Sequence, residues 1–505
     1  MLSWYILLLS CSALPLLLVI FKVKKRSYSH KPPGPRGWPL LGNISDIPKK
    51  SPWLTYTEWG KIYGDIIYLE SFGTPTVILN NLEDIHELLD KRSAITASRP
   101  RMVMASELMG WGWDFAHMPH DDYWRRHRKV FHQYFQQRNM SNHFPVIRKT
   151  TSVLLNQLSK SPDKFRAHFR QFAATVVLKL TYDHEVLSED DYYVNLADKA
   201  LEGLLQVVHV GSSLVDIFPV LKYIPAWFPG ATFKRKAQVY SQMTQKLRDV
   251  PFERAKKQIA SGSLGACFVS ESLGNGVDDD IIGNAAALAY LAGSDTAGHT
   301  VSIIAAFALA MIHFPDVQAR ARKEIDDLTG GLRLPDFDDR PSLPYIDAII
   351  AELFRWATPT PLAIAHMSQA PDVYKGYYFP SGTLFIPNVH GVFHDESRFS
   401  DPFRFKPERF LNENADFDPF NMGGFGYGRR ICPGRYVALN SSWLAISRML
   451  AVFNISPAKD ENGKEKITPP EFVSGLVVHP APFEVDFVPR SGKALELIQK
   501  EDTVF

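Results

Sequence analysis

Cys432 sits in the run Phe425-Gly-Tyr-Gly-Arg-Arg-Ile-Cys-Pro-Gly434, just before a helical pattern that begins at Tyr436. Three glycines and a proline specify the shape of this backbone as well as its side chains. Glycines permit close approach and positive φ, so amide N–H groups can turn toward a sulfur, and a following helix N-terminus further stabilises negative charge. The loop is an environment for a thiolate. A solitary cysteine is ordinarily a small buried hydrophobe. Held in this frame as the axial ligand of a haem iron, it would donate electron density and favour O–O bond cleavage.

Three other constellations carry chemistry. Ala292-Gly-Ser-Asp-Thr296 lies inside a long apolar pattern, Ile281 to Phe314, of which Asp295 is the only charged residue. There the carboxylate can relay a proton and the hydroxyl can both donate and accept. The bland reading is a threonine bonded to a carbonyl one turn back and an aspartate that is merely paired. In Trp124-Arg-Arg-His-Arg128, tryptophan and arginine four apart share one side of a helix and could hydrogen-bond a buried carboxylate. Arg125, Arg126 and Lys129 read as a solvated basic face, or as part of a docking face for an acidic redox partner. Glu352-Leu-Phe-Arg355 puts opposite charges three apart on one helix face, by itself an exposed pair of little weight.

Taken in this order, these segments resemble the cytochrome P-450 superfamily, with Phe425, Gly428, Arg430, Cys432 and Gly434 at the expected spacing. The resemblance covers essentially the whole chain. It implies a mainly α fold with small β-sheets, a helical bundle enclosing haem b, with Cys432 as the iron ligand. Asp295 and Thr296 would organise water and deliver protons during oxygen activation. Trp124, Arg128, His366 and Arg430 would meet the haem propionates, with Phe425 and Gly434 framing the cofactor. Glu352, Arg355 and Arg409, the last in Pro407-Glu-Arg-Phe410, would form a structural network that fixes the cysteine loop. One position departs: Met367 follows His366 where the family often has arginine. The substrate pocket would be lined by the loop carrying Trp111, Trp113 and Phe115, by Leu288 and Ala292, by Leu362, Ala363 and Ile364, and by Leu476 and Val477. Ordinary core packing would show the same residue types.

Ser51-Pro-Trp-Leu-Thr55 and Tyr223-Ile-Pro-Ala-Trp-Phe-Pro-Gly230 resemble fungal members that tailor secondary metabolites. The implied activity is hydroxylation or epoxidation of an apolar small molecule, first a terpenoid and next an aromatic or indole scaffold, with O2 and electrons from NADPH. No GxGxxG fingerprint follows a strand, so a separate flavoprotein reductase would be the partner, with cytochrome b5 as an accessory donor. A haem-thiolate isomerase or dehydratase, and a non-catalytic membrane-tethered haem-binding protein, are the alternatives. Neither needs Asp295-Thr296.

The framework around these residues follows in outline from charge, periodicity and turn signals. Residues 1–21 lack a charged side chain and would form one transmembrane helix of roughly 30 Å. Lys22, Lys24, Lys25 and Arg26 follow, which by the positive-inside rule leaves the catalytic domain cytosolic, on the endoplasmic reticulum membrane. A cleaved signal peptide would need positive charge ahead of the apolar run. Residues 22–43, basic and proline-rich, read as a stiff linker, and 44–505 as one catalytic domain. A hairpin is expected around Gly73-Thr-Pro75. Mostly helical pattern runs from Asp121 to the 350s, with strands again near 377–386 and after Phe472, and loops near 101–119, 209–231 and 395–434. The apolar stretch 281–314 could span a membrane, but its cluster of Asn284, Ser294, Asp295, Thr296 and His299 suits a buried central helix with Asp278-Asp279-Asp280 at its start. The proline-rich run Ile217–Pro229, followed by Lys234-Arg-Lys236, could dip into lipid beside a substrate entrance.

Composition excludes other classes. A net charge of +2, mixed in sign along the chain, leaves no nucleic-acid surface. Three widely spaced cysteines argue against a disulfide framework or a structural zinc site. The sequons at Asn43, Asn139, Asn440 and Asn454 are chance matches if the domain is cytosolic.

Overall fold

In a computed structural model the described residues are 30–188, 190–208, 213–294, 298–411 and 418–504. The expected anchor over 1–21 therefore lies outside them. Among the described residues no single helix is long and apolar enough to cross a membrane.

The chain folds as a helix-dominated body with small sheets. The apolar stretch is helical over Asp279–Ser294 and again over Gly298–His313, with 295–297 outside the described residues. Asp278 accepts from the amides of Asp280 and Ile281 at 3.0 and 3.3 Å, satisfying donors that a helix start leaves open. Residues Ala285–Ala287 and Ile303–Met311 are buried inside the protein. Small side chains let neighbours approach: a Cβ on Gly293 would lie 2.3 Å from Val177 of the helix Phe165–Tyr182. The stretch is a core element, and the bilayer-spanning alternative finds no support in its burial.

The helix Asp122–Phe135 starts at Asp121, whose carboxylate accepts from the Trp124 amide at 2.8 Å. That cap fixes which side of the helix Trp124 and Arg128 present. The helix Pro344–Ala357 is buried at almost every position from Tyr345 on, and the helix Arg435–Val452, which begins three residues after Cys432, is buried over Ser441–Leu450.

The hairpin forms as expected, Ile66–Ser71 antiparallel to Thr74–Leu79. Thr74–Leu79 then pairs in parallel with Leu384–Pro387, and His366–Met367 closes the four-stranded sheet. Three strands escape the sequence pattern: His366–Met367, Asp372–Tyr374 and Phe453–Pro457. Two or three residues cannot display alternation, and Phe453–Pro457 is fixed only by its partner Val485–Pro489, far away in sequence.

Two expectations need correction. The proline-rich segment is docked on the globule, because the Tyr68 amide donates to Pro33 O at 2.8 Å, the Asn43 amide donates to Glu70 O at 2.6 Å, and Lys31 pairs with Glu70 at 3.0 Å. Prolines remove donors but leave carbonyls for an edge strand to use. The same docking buries Asn43 and commits its side-chain amide to Pro35 O, which removes that sequon from the surface. The run Ile217–Pro229 is not free of helix: the short helix Leu214–Ile217 leads into it and a 3-10 turn, Pro219–Tyr223, forms within it, with proline at the first turn where its missing N–H costs nothing.

Candidate active site

A mainly apolar cavity of about 330 Å³ brings together residues of the cysteine loop, the Trp124 helix, the central helix and the segments around Ala363 and Leu476. Cys432 lines it, beside Phe425, Arg430 and Gly434. The cysteine loop is shaped by Gly426 at φ +80° and Gly428 at φ +52°, and closed by the Cys432 amide donating to Phe425 O at 2.8 Å. A Cβ on Gly428 would lie 2.3 Å from Leu89 O, so only glycine fits this turn. The Gly428 amide donates to Asp90, whose other oxygen pairs with His86. Burial pushes the Cys432 thiol up, and the amides of Gly434 and Arg435 with the Arg128 and Arg435 guanidinium groups pull it back down. The sulfur thus has donors on hand but lacks full compensation.

Three guanidinium groups crowd the same cavity. Arg430 donates to Ala97 O at 2.6 Å, Phe115 O at 3.2 Å and Met118 O at 2.6 Å. Its guanidinium lies 4.2 Å from the Trp124 ring, whose Nε1 donates to Phe115 O at 3.0 Å. Arg128 donates to Ile431 O at 2.6 Å. Arg99, which sequence reasoning missed, donates to Ala116, Ile364 and Ala365 carbonyls at 3.2, 2.7 and 2.8 Å. It brings a guanidinium next to His366, the corner where Met367 replaces the family's arginine. A guanidinium has five N–H donors. Arg430 and Arg99 each spend three on carbonyls, and Arg128 one.

Among the described residues these three arginines receive no carboxylate bond. Burial pushes Arg430 down to about 8, helped by repulsion from Arg99 and Arg128. Burial likewise lowers Arg99 to about 9, with Asp114 opposing, and Arg128 to about 10, with Cys432 opposing. A guanidinium stays charged in proteins, so the depression reports a site in want of anions. His366, 2% exposed and facing Thr96 O through Nδ1 at 3.1 Å, is pushed well below the usual imidazole range by burial and by Arg99 and Arg430. A planar group carrying two carboxylates and an iron would fit this donor set, with Cys432 to hold the iron and the three arginines to hold the carboxylates.

The expected pocket residues Phe115, Leu288, Ala292, Ala363, Ile364, Leu476 and Val477 all line the cavity. Trp111, Trp113 and Leu362 do not: both tryptophans pack in the main core with rings 5.3 Å apart, and Leu362 packs against a small cluster under the hairpin. Large rings in a loop satisfy burial wherever space exists, which the sequence does not tell. The cavity also holds a polar pair that the sequence did not signal, Asp114 with His117, whose Nδ1 and Oδ2 are 2.6 Å apart. Asp295 and Thr296 lie outside the described residues.

Glu352 and Arg355 are both fully buried and pair bidentately at 2.6 and 2.8 Å. Arg355 also donates to Phe393 O and Pro402 O, and Glu352 accepts from the Lys406 amide at 2.7 Å. Arg409 stands 3.5 Å from Glu352, a charge contact without a hydrogen bond, and donates to Ser400 O and Asp401 O. The pair grips the segment 393–406 rather than the cysteine loop itself. Contact with that loop comes through Phe354, whose ring is 4.9 Å from that of Phe425.

Among the described residues no group of three or more His, Cys, Asp or Glu could cage a bare metal ion, and Cys267 and Cys432 are both free. A family model described as cytochrome P450 matches residues 32–487. A cytochrome P450 monooxygenase of Armillaria gallica is 39% identical over 489 residues, covering 95% of each chain. Tryptamine 4-monooxygenase of Psilocybe cyanescens is 38% identical over 486 residues, covering 93% of this chain and 95% of that one. Among solved structures, a zebrafish cytochrome P450 with abiraterone superposes with a TM-score of 0.70 at 22% identity, over 87% of this chain and all of that one, a likeness of fold.

Proposed function

The chain belongs to the cytochrome P450 family of haem-thiolate monooxygenases, and we propose that it hydroxylates or epoxidises an apolar secondary metabolite, terpenoid or aromatic, with electrons from NADPH through a separate flavoprotein reductase. The observation that carries the site assignment is the convergence of Arg99, Arg128 and Arg430, with spare donors and no carboxylate bond among the described residues, on one cavity with Cys432. Cys432 holds the iron, and the spare donors of Arg99, Arg128 and Arg430 hold the propionates; Trp124 keeps its one N–H on Phe115 O and packs on the Arg430 guanidinium, and His366, with Nδ1 on Thr96 O, lines the same cavity. When bound, the haem supplies activation of O2 for insertion of one oxygen atom. The cysteine loop keeps its sulfur against the metal by the turn at Gly428 and the amides of Gly434 and Arg435. Asp295 and Thr296 pass protons from solvent, and the apolar wall of Leu288, Ala292, Ile364 and Leu476 excludes other water and presents a C–H or C=C bond.

An apolar substrate suits a membrane setting. Trp227, Tyr223 and Trp38 are 79%, 74% and 66% exposed, and the Phe72 and Phe218 rings, 5.6 Å apart, link their two segments into one apolar face. We place this face against lipid, below a single-pass anchor over 1–21 in the endoplasmic reticulum membrane, with the catalytic domain cytosolic. The exposed Arg125, Arg126 and Lys129 serve as a docking face for the reductase. Tryptamine, the compound for which one relative is named, carries an indole ring, and this supports an aromatic scaffold beside a terpenoid.

The test is the reduced carbon-monoxide difference spectrum of the full chain beside Cys432→Ser. A strongly red-shifted Soret band lost in the variant is expected. No such band from folded, haem-supplied protein would refute the assignment of Cys432.

A further inference from the structure

Asp114 and His117 form a built polar point in an otherwise mainly apolar cavity. Asp114 is 2% exposed; its Oδ1 accepts from the Ala116 amide at 2.8 Å and its Oδ2 meets His117 Nδ1 at 2.6 Å. Both oxygens are engaged, so the carboxylate is locked and the imidazole is aimed. His117 lines the same cavity as Cys432, its side chain is 11% exposed, and its Nε2 is buried without a partner among the described residues. A buried ring nitrogen left unpaired costs free energy, and such groups in native proteins ordinarily have an occupant to satisfy them.

Two occupants compete for that nitrogen: a haem propionate, or a donor on the substrate. The tautomer decides. Asp114 Oδ2, 2.6 Å from Nδ1, selects the tautomer with its hydrogen on Nδ1, so Nε2 presents a lone pair, while on the haem reading given above, on which this inference rests, Arg99, Arg128 and Arg430 supply the donors for two propionates. A lone pair repels a carboxylate and accepts from O–H or N–H.

We propose that His117 Nε2, oriented by Asp114, accepts a hydrogen bond from a hydroxyl or N–H group of the substrate, so that the substrate is an apolar molecule carrying such a donor and not a plain hydrocarbon. Asp114 is a positioning residue: it fixes the tautomer and the ring plane. The donor at this point and the apolar wall around it set which carbon faces the iron, so His117 governs the site of oxidation as well as affinity.

The test uses the full-length holoprotein and matched probes, farnesol against farnesyl methyl ether and indole against 1-methylindole, each titrated by the Soret difference spectrum. Wild type is expected to bind the donor-bearing member of a pair roughly threefold to tenfold more tightly. His117→Phe should bring that ratio to about one, with its reduced carbon-monoxide band unchanged. Equal affinities within a pair in the wild type, or a preference that survives His117→Phe, would overturn the proposal. A crystal structure of the haem-loaded protein decides independently of ligand choice or variant folding: Nε2 clear of both propionates supports the assignment, and Nε2 within hydrogen-bond distance of a propionate ends it. Failure of the haem reading shows separately, as a wild type without the thiolate band.

Discussion

Replacing Glu352 by glutamine tests whether the buried pair organises the region behind the cysteine loop. The carboxylate and the Arg355 guanidinium are both fully buried and share two hydrogen bonds, and Glu352 accepts a third from the Lys406 amide. Glutamine keeps the shape but removes the charge, leaving a guanidinium in the core with carbonyls as its only partners. Breaking a buried pair in this way costs about 3–5 kcal/mol. A globule of this size has an unfolding entropy near 1 kcal/mol/K, from about 2.1 cal/mol/K per residue, so the thermal midpoint of the holoprotein should fall by about 3–5 °C. Because Phe354 on the same helix packs on Phe425, the thiolate-type carbon-monoxide band should also convert more readily to the non-thiolate form on warming. Glu352→Gln combined with Arg355→Met should recover at least half of the loss, since no buried charge is then left alone. A single variant within about 1 kcal/mol of wild type, or a double variant whose losses simply add, would refute the coupling.

Gly428→Ala places a methyl group 2.3 Å from Leu89 O at φ +52°, and should cost about 2 kcal/mol or more and abolish most of the thiolate band; a normal spectrum and stability would show that the turn relaxes freely. His366 stays neutral in the fold where the unfolded chain takes up a proton, so it contributes stability above about pH 6.5 that is lost as pH falls below that value, by up to about 1.4 kcal/mol per pH unit. Urea titrations of His366→Phe between pH 7 and 5 should show a flatter acid limb than wild type, and parallel limbs would exclude this residue as the titrating group. Thr296→Ala, with haem loading intact, should lower the coupling of NADPH consumption to product by roughly tenfold or more. Unchanged coupling would remove Thr296 from proton delivery.

How much of this was legible in the sequence depends on whether a feature is local. The cysteine loop was, because its glycines encode the turn itself, and Gly426 and Gly428 take the positive φ that their type permits. The helix opening at Asp121, the hairpin at Gly73 and the central apolar helix were too, since cap, turn and periodicity are all written within a few residues. Trp124 and Arg128, four apart, had to fall on one side.

What depended on distant segments was not. Arg99 reaches the cavity only because the carbonyls of Ala116, Ile364 and Ala365 converge on it, and no spacing announces that a residue 265 positions from Ile364 will meet it. Trp111 and Trp113 turn their rings into the core and away from the pocket, each with its indole N–H buried without a partner among the described residues, so packing of the rings and not polar pairing sets their place. The Glu352–Arg355 pair was local, but its full burial and its grip on carbonyls 393 and 402 came from packing alone, and so did its strength. The cysteine loop's turn, the helix start that aims Trp124 and Arg128, and the helical frame follow from local sequence, because they rest on backbone preferences and periodicity. Which side chains share the cavity with Cys432, and which charges there lack a partner, follows from how distant segments pack, because desolvation and charge compensation are properties of neighbours in space.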